Sequence, residues 1–469
     1  MQRFYLSGGF EKHEIEEIHR TALTVLKKSG ILIPNNTVLE CLEGLRGIQI
    51  EDSIVKFDDT LISEILNDIV ISSQNKEEVQ KGKRDLKCTV GGLSLRYSDL
   101  ENDKIRDARS TDLVDMVKLA DSYELSGVNP LTPVNLPTYI REVAIHKLCI
   151  ENGQNIGCGI MNSAEQAEFI YDMNEVVGRK TSFSLWTISP LQLGNDSLDM
   201  CIRLGKKKNT RVRITNMPML GATSSVGLRE ALCQSLAELL GGLTVAFFLV
   251  GKEKIDFRLH TLIYPFDMRF GNCIYGSPES NLMDLLSMQI SDFYGLPKGP
   301  VRGYKSLGKG HDVESAVERA LGVFAAALNG WTEFFAVGRT CNDEVFSPVQ
   351  LVIDIEILHY VQRFVEGYRW KNISDDEYLI SKIEEARSGT RTFLEQEETV
   401  QHEHAKNYWF PELFNYERLE SWLLGGAVPL TERAREIAKV RLKNHCFERG
   451  KEEQKEINQI YQKALHHLH

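Results

Sequence analysis

The side chains best suited to chemistry gather where short β-branched or aromatic runs give way to loops: His260, Tyr264, Asp267, Tyr304, Lys305, Glu333 and Arg339. Aromatic faces attract cations, and a quaternary ammonium, which has no N–H to donate, is held chiefly that way. Tyr97, Trp186, Tyr264, Tyr304, Phe334, Phe335 and Phe346 supply such faces, with core packing as the competing use of each. Arg213, Arg302, Lys305 and Arg339 can grip a carboxylate or phosphate, or else pair with neighbouring acids. Asp267, Glu279 and Glu333 can balance a bound cation or exchange a proton, although Asp267 also has a nearby partner in Arg269. His260 lies inside a strand pattern, where a hydrogen-bonded core imidazole competes with proton transfer. Asn135 and Asn216 end strand-loop units, where turn chemistry and ligand contact compete on equal terms.

Other signatures are missing. The sequence has no P-loop, no GxGxxG after a strand, no GxSxG and no HExxH, so ordinary kinase, dehydrogenase and hydrolase readings have little support. His402 and His404 form the one close histidine pair near plausible ligands, but no third ligand accompanies them and no metal site is assigned. The cysteines are scattered without a CxxC pair, as buried reduced thiols would be.

What must position these residues is a βα repetition. SGVNPLTPVN, QNIGCGIMN, TSFSLWTIS, RVRITNMPM, IDFRLHTLIYP, PVRGYKSLG and WTEFFAVG are strand-like, each separated from the next by a helical pattern. Parallel strands need helical crossovers, and so many in succession predict a closed (β/α)8 barrel of the TIM type, whose chemistry sits at the C-terminal strand ends. An eighth strand is expected between Tyr378 and Leu394. The clearest helix runs from Asp312, a suitable N-cap, to Asn329 before Gly330, with Val313, Ala316, Val317, Ala320 and Phe324 on one face. Residues 1–90 read as an N-terminal helical extension, 91–395 as the barrel, and 396–469 as C-terminal helices packed on the barrel or on another subunit.

At 469 residues with 42% hydrophobic and 26% charged side chains, the chain has an ordinary soluble composition able to bury a large core. A formal net charge of -11 argues against a nucleic-acid binder, which needs a basic face. The polar start carries no signal-peptide core, and the longest apolar stretch, Leu243 to Val250, is shorter than the ~20 residues of a membrane span. A cytoplasmic protein without a membrane partner is expected.

Several segments, in order along nearly the whole chain, carry a resemblance: EIEEIHRTALTVLKKSGI, NMPMLGATSSVGLREAL with AELLGG, FDMRFG, GSPES, SDFYGLP, GYKS, ESAVERALGVFAAALNG and LVIDIEIL. Together they resemble the trimethylamine methyltransferase family, in the branch without pyrrolysine that includes glycine betaine:corrinoid methyltransferases. The resemblance implies a (β/α)8 barrel that presents a quaternary amine, glycine betaine or a related betaine, to cob(I)alamin on a cognate corrinoid protein. It implies no tightly held cofactor in this chain. Substrate contacts are then expected from Tyr97, Asn216, Tyr264, Tyr304, Phe335, Arg339 and Phe346. No acid or base is required, His260 and Glu333 being the candidates if one is used. Homo-oligomerisation is expected from the apolar helices and the long C-terminal one. Two departures bear on the substrate: Asn135 stands where the family commonly has an acidic residue, and the loop GRTCNDEVFSP is more polar than in relatives. A metal-dependent barrel lyase or hydrolase and a non-catalytic betaine-binding protein are the alternative readings.

Overall fold

The computed structural model describes residues 9–77, 85–259, 262–367, 376–404 and 408–469. Its parallel strands are β1 (Lys87–Val90), β2 (Ser126–Val128), β3 (Ile156–Gly157), β4 (Thr181–Ile188), β5 (Thr210–Thr215), β6 (Tyr264–Asp267) and β7 (Glu333–Val337). β7, β1, β2 and β3 form one parallel sheet in that order, so the last strand of the repetition lies beside the first. β4 pairs with β5 in parallel, and Val212 of β5 bridges Ile255. Val301 bridges Phe334 of β7 in the same sense. The mixed α/β class with parallel sheets matches the sequence reading. Among the described residues, however, no ladder joins β3 to β4 or the Ile255 segment to Val301, so hydrogen bonding leaves separate arcs and not a closed barrel.

The crossovers are helical: α1 (Lys12–Lys28) precedes the repetition, and α2 (Ser110–Asp121), α3 (Arg141–Asn152), α4 (Ala164–Val176), α5 (Asn195–Leu204), α6 (Leu228–Val250), α7 (Pro278–Tyr294), α8 (Val313–Leu328) and α9 (Pro348–Val365) accompany it. α6 is long and apolar enough to cross a bilayer, yet most of it is buried inside the protein. Leu236, Leu239, Leu240 and Leu243 have no exposed surface, and each such burial stabilises by about 1.5–3 kcal/mol. The larger core surrounds α6 and gathers β4, β5 and the amphipathic face of α1.

Two expectations are corrected. The eighth strand is not at Tyr378 to Leu394, where α10 (Asp376–Ser388) is helical; β1 occupies the position beside β7 instead. α8 forms where the sequence places it, with the Asp312 carboxylate accepting from Ser315 N at 2.9 Å, but it is turned. Val313 and Val317 are exposed, and the buried face holds Ser315, Arg319, Gly322, Val323, Ala326 and Ala327. A buried ion pair made by Arg319 outweighs the apolar stripe in setting that rotation. Two C-terminal helices, α11 (Leu430–Lys443) and α12 (Lys451–Leu468), pack on α9 and on α3 and α4 respectively.

Candidate functional site

β6, β7 and the segment after Val301 bring an aromatic and cationic cluster together. The Arg302 guanidinium lies 4.8 Å from the ring centre of Tyr275, 5.3 Å from that of Phe335 and 5.9 Å from that of Tyr264. Tyr264 and Tyr275 pack with centroids 4.6 Å apart. The cation that these rings surround is therefore the protein's own. Arg302 Nη1 and Arg339 Nη2 approach the same Asp343 carboxylate oxygen at 2.7 and 2.6 Å. The approach does not give that oxygen an aligned hydrogen bond, and Arg302 Nε, Arg339 Nε and the Tyr264 hydroxyl are also buried without a partner. An unmade bond at a buried polar group costs about 1–3 kcal/mol, and donors set this way suit an anionic group.

Lys305 sits deeper and is satisfied: its Nζ meets Asp284 Oδ2 at 2.6 Å and Ser280 O and Oγ at 3.1 Å each. Burial lowers its pKa against the opposing pull of Asp284. Burial also pushes Arg339 down to about 10, with Asp343 opposing and Arg302 adding to the shift. Arg302 is penalised by burial too, but Asp343, Tyr264 and Tyr275 outweigh that penalty and hold it above its ordinary range. Around Tyr264, then, Arg302, Lys305 and Arg339 face the two carboxylates Asp284 and Asp343.

The loop that delivers Asp343 is strained: Cys341, Asn342 and Asp343 all have positive φ, at 52°, 57° and 75°. Three non-glycine residues in the left-handed region cost of order 1–3 kcal/mol each, so neighbours must hold them. Cys341 N donates to Gly308 O and Asn342 N to Ser306 O, both at 3.0 Å. Asn342 Nδ2 reaches Asn272 Oδ1 at 2.8 Å, and Ser94 Oγ donates to Asp343 O at 2.9 Å.

Of the residues expected from sequence, Tyr264, Phe335 and Arg339 meet in this cluster. Tyr97 and Phe346 are neighbours in a parallel pairing, but the Tyr97 ring already carries Arg106 at 4.9 Å. Tyr304 is fully engaged in the core, its hydroxyl donating to Asp354 O at 3.1 Å. Asn216 is buried, donating to Ser235 O, Ser235 Oγ and Glu238 Oε2, with its own Oδ1 unpartnered. Glu333 opens β7 at the end away from Arg339 and is half exposed beside Arg258, so the structure does not bring it to the cluster. Asp267 pairs with Arg269 at 2.6 Å, and Asn135 holds the start of α2 through Ser110. His260 and the side chains of His402 and His404 lie outside the described residues. Among those described, no three His, Cys, Asp or Glu side chains converge as metal ligands. Sequence reasoning passed over Tyr275, Asp284 and Asp343. Asp343 had a signal in the polar run CND, whose asparagine and aspartate tolerate positive φ.

Comparison with known proteins follows the same line. A family model described as trimethylamine methyltransferase matches residues 6–454. The chain is 26% identical to a trimethylamine methyltransferase of Methanosarcina barkeri, covering 93% of this chain and 90% of the relative. It is 22% identical to one of Desulfitobacterium hafniense, covering 94% and 90%. A glycine betaine methyltransferase of Desulfitobacterium hafniense is 22% identical, with 87% of each chain covered.

Proposed function

Since this chain belongs to the trimethylamine methyltransferase family, we propose that it transfers a methyl group from a quaternary amine, glycine betaine or a related betaine, to cob(I)alamin on a separate corrinoid protein in the cytoplasm. The observation that carries this reading is the cluster in which aromatic rings and buried guanidinium N–H groups face the same space. A betaine has a use for both: the rings suit its methylated ammonium, and Arg302 and Arg339 suit its carboxylate. An entering ammonium must take the place of the Arg302 guanidinium among the rings. The ligand's own carboxylate is what compensates the displaced charge. A carboxylate-free ammonium would leave it uncompensated.

The chemistry asks little acid–base help of the protein. The C–N bond breaks as the methyl carbon passes to cobalt, the nitrogen keeps the electron pair, and a neutral tertiary amine departs. Tyr264, Tyr275 and Phe335 would exclude water and align the methyl group, while Arg302 and Arg339 anchor the other end. We further read the βα order as a (β/α)8 barrel, supported by the pairing of its first strand, β1, with its last, β7.

The test is methyl transfer to reduced cobalamin, followed by its absorption change, with glycine betaine, proline betaine, carnitine, choline and trimethylamine offered in turn. Turnover of a betaine is expected. No response to any quaternary amine, with free cob(I)alamin or with candidate corrinoid proteins, would remove the proposal.

A further inference from the structure

We infer that a second cavity, behind the strand that carries Arg339, binds the zwitterion of a small amino acid and recognises it by its N–H groups. Asp103, Lys309, His311, Thr340, Ser347 and Thr431 line about 320 Å³ there. Arg339 and Thr340 form a two-residue strand, and successive side chains of a strand point to opposite faces. Arg339 joins the aromatic cluster, and Thr340 faces this other space. The proposed methyl transfer makes no use of it. His311, whose side chain is nine-tenths buried, is oriented by a chain of buried groups. Gln350 Nε2 donates to Asp354 Oδ1 at 2.9 Å, so it is the amide oxygen of Gln350 that meets His311 Nδ1 at 3.1 Å. In the neutral ring Nδ1 therefore carries the proton, and Nε2 presents a lone pair.

That lone pair faces a second acceptor. Asp103 Oδ1 stands 3.8 Å from Nε2, too far for a direct hydrogen bond, while Asp103 Oδ2 is held by Arg435 Nη2 at 2.6 Å. Ser347 Oγ is 3.3 Å from Nε2, long for a hydroxyl donor. Two acceptors set this way call for two N–H groups on one nitrogen, hence a primary or secondary ammonium. A tertiary ammonium has one such group and a quaternary ammonium has none. Lys309 Nζ spends one donor on Leu307 O at 2.8 Å and has two more to offer. α11 begins beside Thr431 without a side-chain cap. Both features suit a carboxylate, and Ile105 and Val345 give the cavity an apolar wall for an aliphatic body. Asp103 and Glu432 pair with Arg435, and with Lys309 these four side chains carry no net charge, which a zwitterion preserves.

Calorimetric titration of the full chain, with and without saturating glycine betaine, should show one site for glycine and one for sarcosine that glycine betaine does not displace. Sarcosine has two N–H groups, N,N-dimethylglycine one and glycine betaine none. Affinity should therefore hold from glycine to sarcosine and fall by about tenfold or more at N,N-dimethylglycine. Asp103→Asn, His311→Phe and Lys309→Met should each weaken sarcosine by about tenfold or more, with circular dichroism unchanged. No binding of either amino acid, equal affinity along the methyl series, displacement by glycine betaine, or variants that bind as tightly as the wild type would each overturn the site. Should the first two variants misfold, Lys309→Met still decides, because that side chain is exposed. Absent methyl transfer with every amine would count against the proposed reaction and leave this result standing.

Discussion

Arg319 and Asp354 meet at 2.9 Å with neither side chain exposed, and together they hold the backbone at both strand ends that supply cations to the site. Arg319 donates to the carbonyl oxygens of Tyr304 and Arg339, while Asp354 accepts from Gly338 N at 2.7 Å and from Gln350 Nε2 at 2.9 Å. Asp354→Asn leaves a guanidinium buried without its counter-charge, so it should destabilise by about 3–5 kcal/mol. Replacing both residues, Arg319→Met with Asp354→Leu, should cost less than that single change, because no charge is then stranded. Urea denaturation of the two variants checks the order; a loss under about 1 kcal/mol for Asp354→Asn would show that the pair is not buried as described.

Gly92 makes room for Arg339. Its φ is 150°, and a Cβ there would collide with the Arg339 side chain. Gly92→Ala should therefore push the guanidinium away from Asp343 and raise KM for the betaine by about tenfold, a 1.4 kcal/mol loss, with kcat falling less. Steady-state kinetics separate the two constants. If kcat alone falls, Arg339 acts in the transfer step and does not simply anchor the substrate.

Much of this was legible in the sequence, and the losses have identifiable causes. Repeated strand-to-helix punctuation located the parallel strands around Thr181–Ile188, Thr210–Thr215 and Glu333–Val337. The strand Lys87–Val90 is absent from that repetition as the sequence shows it, because its partner Glu333–Val337 lies far along the chain and such pairing leaves no local trace. The rotation of α8 was hidden for a related reason: Val313 and Val317 signal a buried face by type, whereas Arg319 goes inside to meet Asp354 and the carbonyl oxygens of Tyr304 and Arg339, all distant in sequence. Tyr264 and Phe335, singled out by type as rings suited to a cation, lie together around Arg302; that the neighbour is Arg302 left no trace in the sequence, which cannot say whether a ring faces a ligand or another side chain.

Arg339 gives the site a pH signature. Burial holds its pKa at about 10, below the ordinary arginine range, and only the charged form attracts a carboxylate. Affinity for a betaine should be full near neutrality and fall as pH rises through about 10. Lys305, also lowered by burial, changes in the same direction. The stability contribution has the opposite sign: between the folded value and the higher unfolded one, the unfolded chain binds more protons, so this group's penalty is relieved as pH rises. Calorimetric binding at about pH 8 and about pH 10.5, on protein shown to be folded, tests it; constant affinity would place the carboxylate away from Arg339.

The charge count around Tyr264 sets the final prediction, that the enzyme discriminates against methylated ammonium compounds lacking an acid group. Among the described residues, Arg302, Lys305 and Arg339 pair with Asp284 and Asp343 there, so these five side chains together carry one positive charge in excess before any ligand binds. Trimethylammonium, choline or tetramethylammonium would add another in a buried site, whereas a zwitterion adds none. Trimethylammonium also brings an N–H that the rings cannot accept well, a further cost of about 1–3 kcal/mol. Glycine betaine should therefore bind at least tenfold more tightly than tetramethylammonium, which has the same methylated head without the carboxylate. Arg302→Gln removes the excess charge and the resident cation together, and should narrow that ratio by weakening the betaine and strengthening tetramethylammonium. Direct binding of both ligands to wild type and variant reads this without methyl transfer. Equal affinities in the wild type, or an unchanged ratio in the variant, would mean that the ammonium binds outside the rings around Arg302.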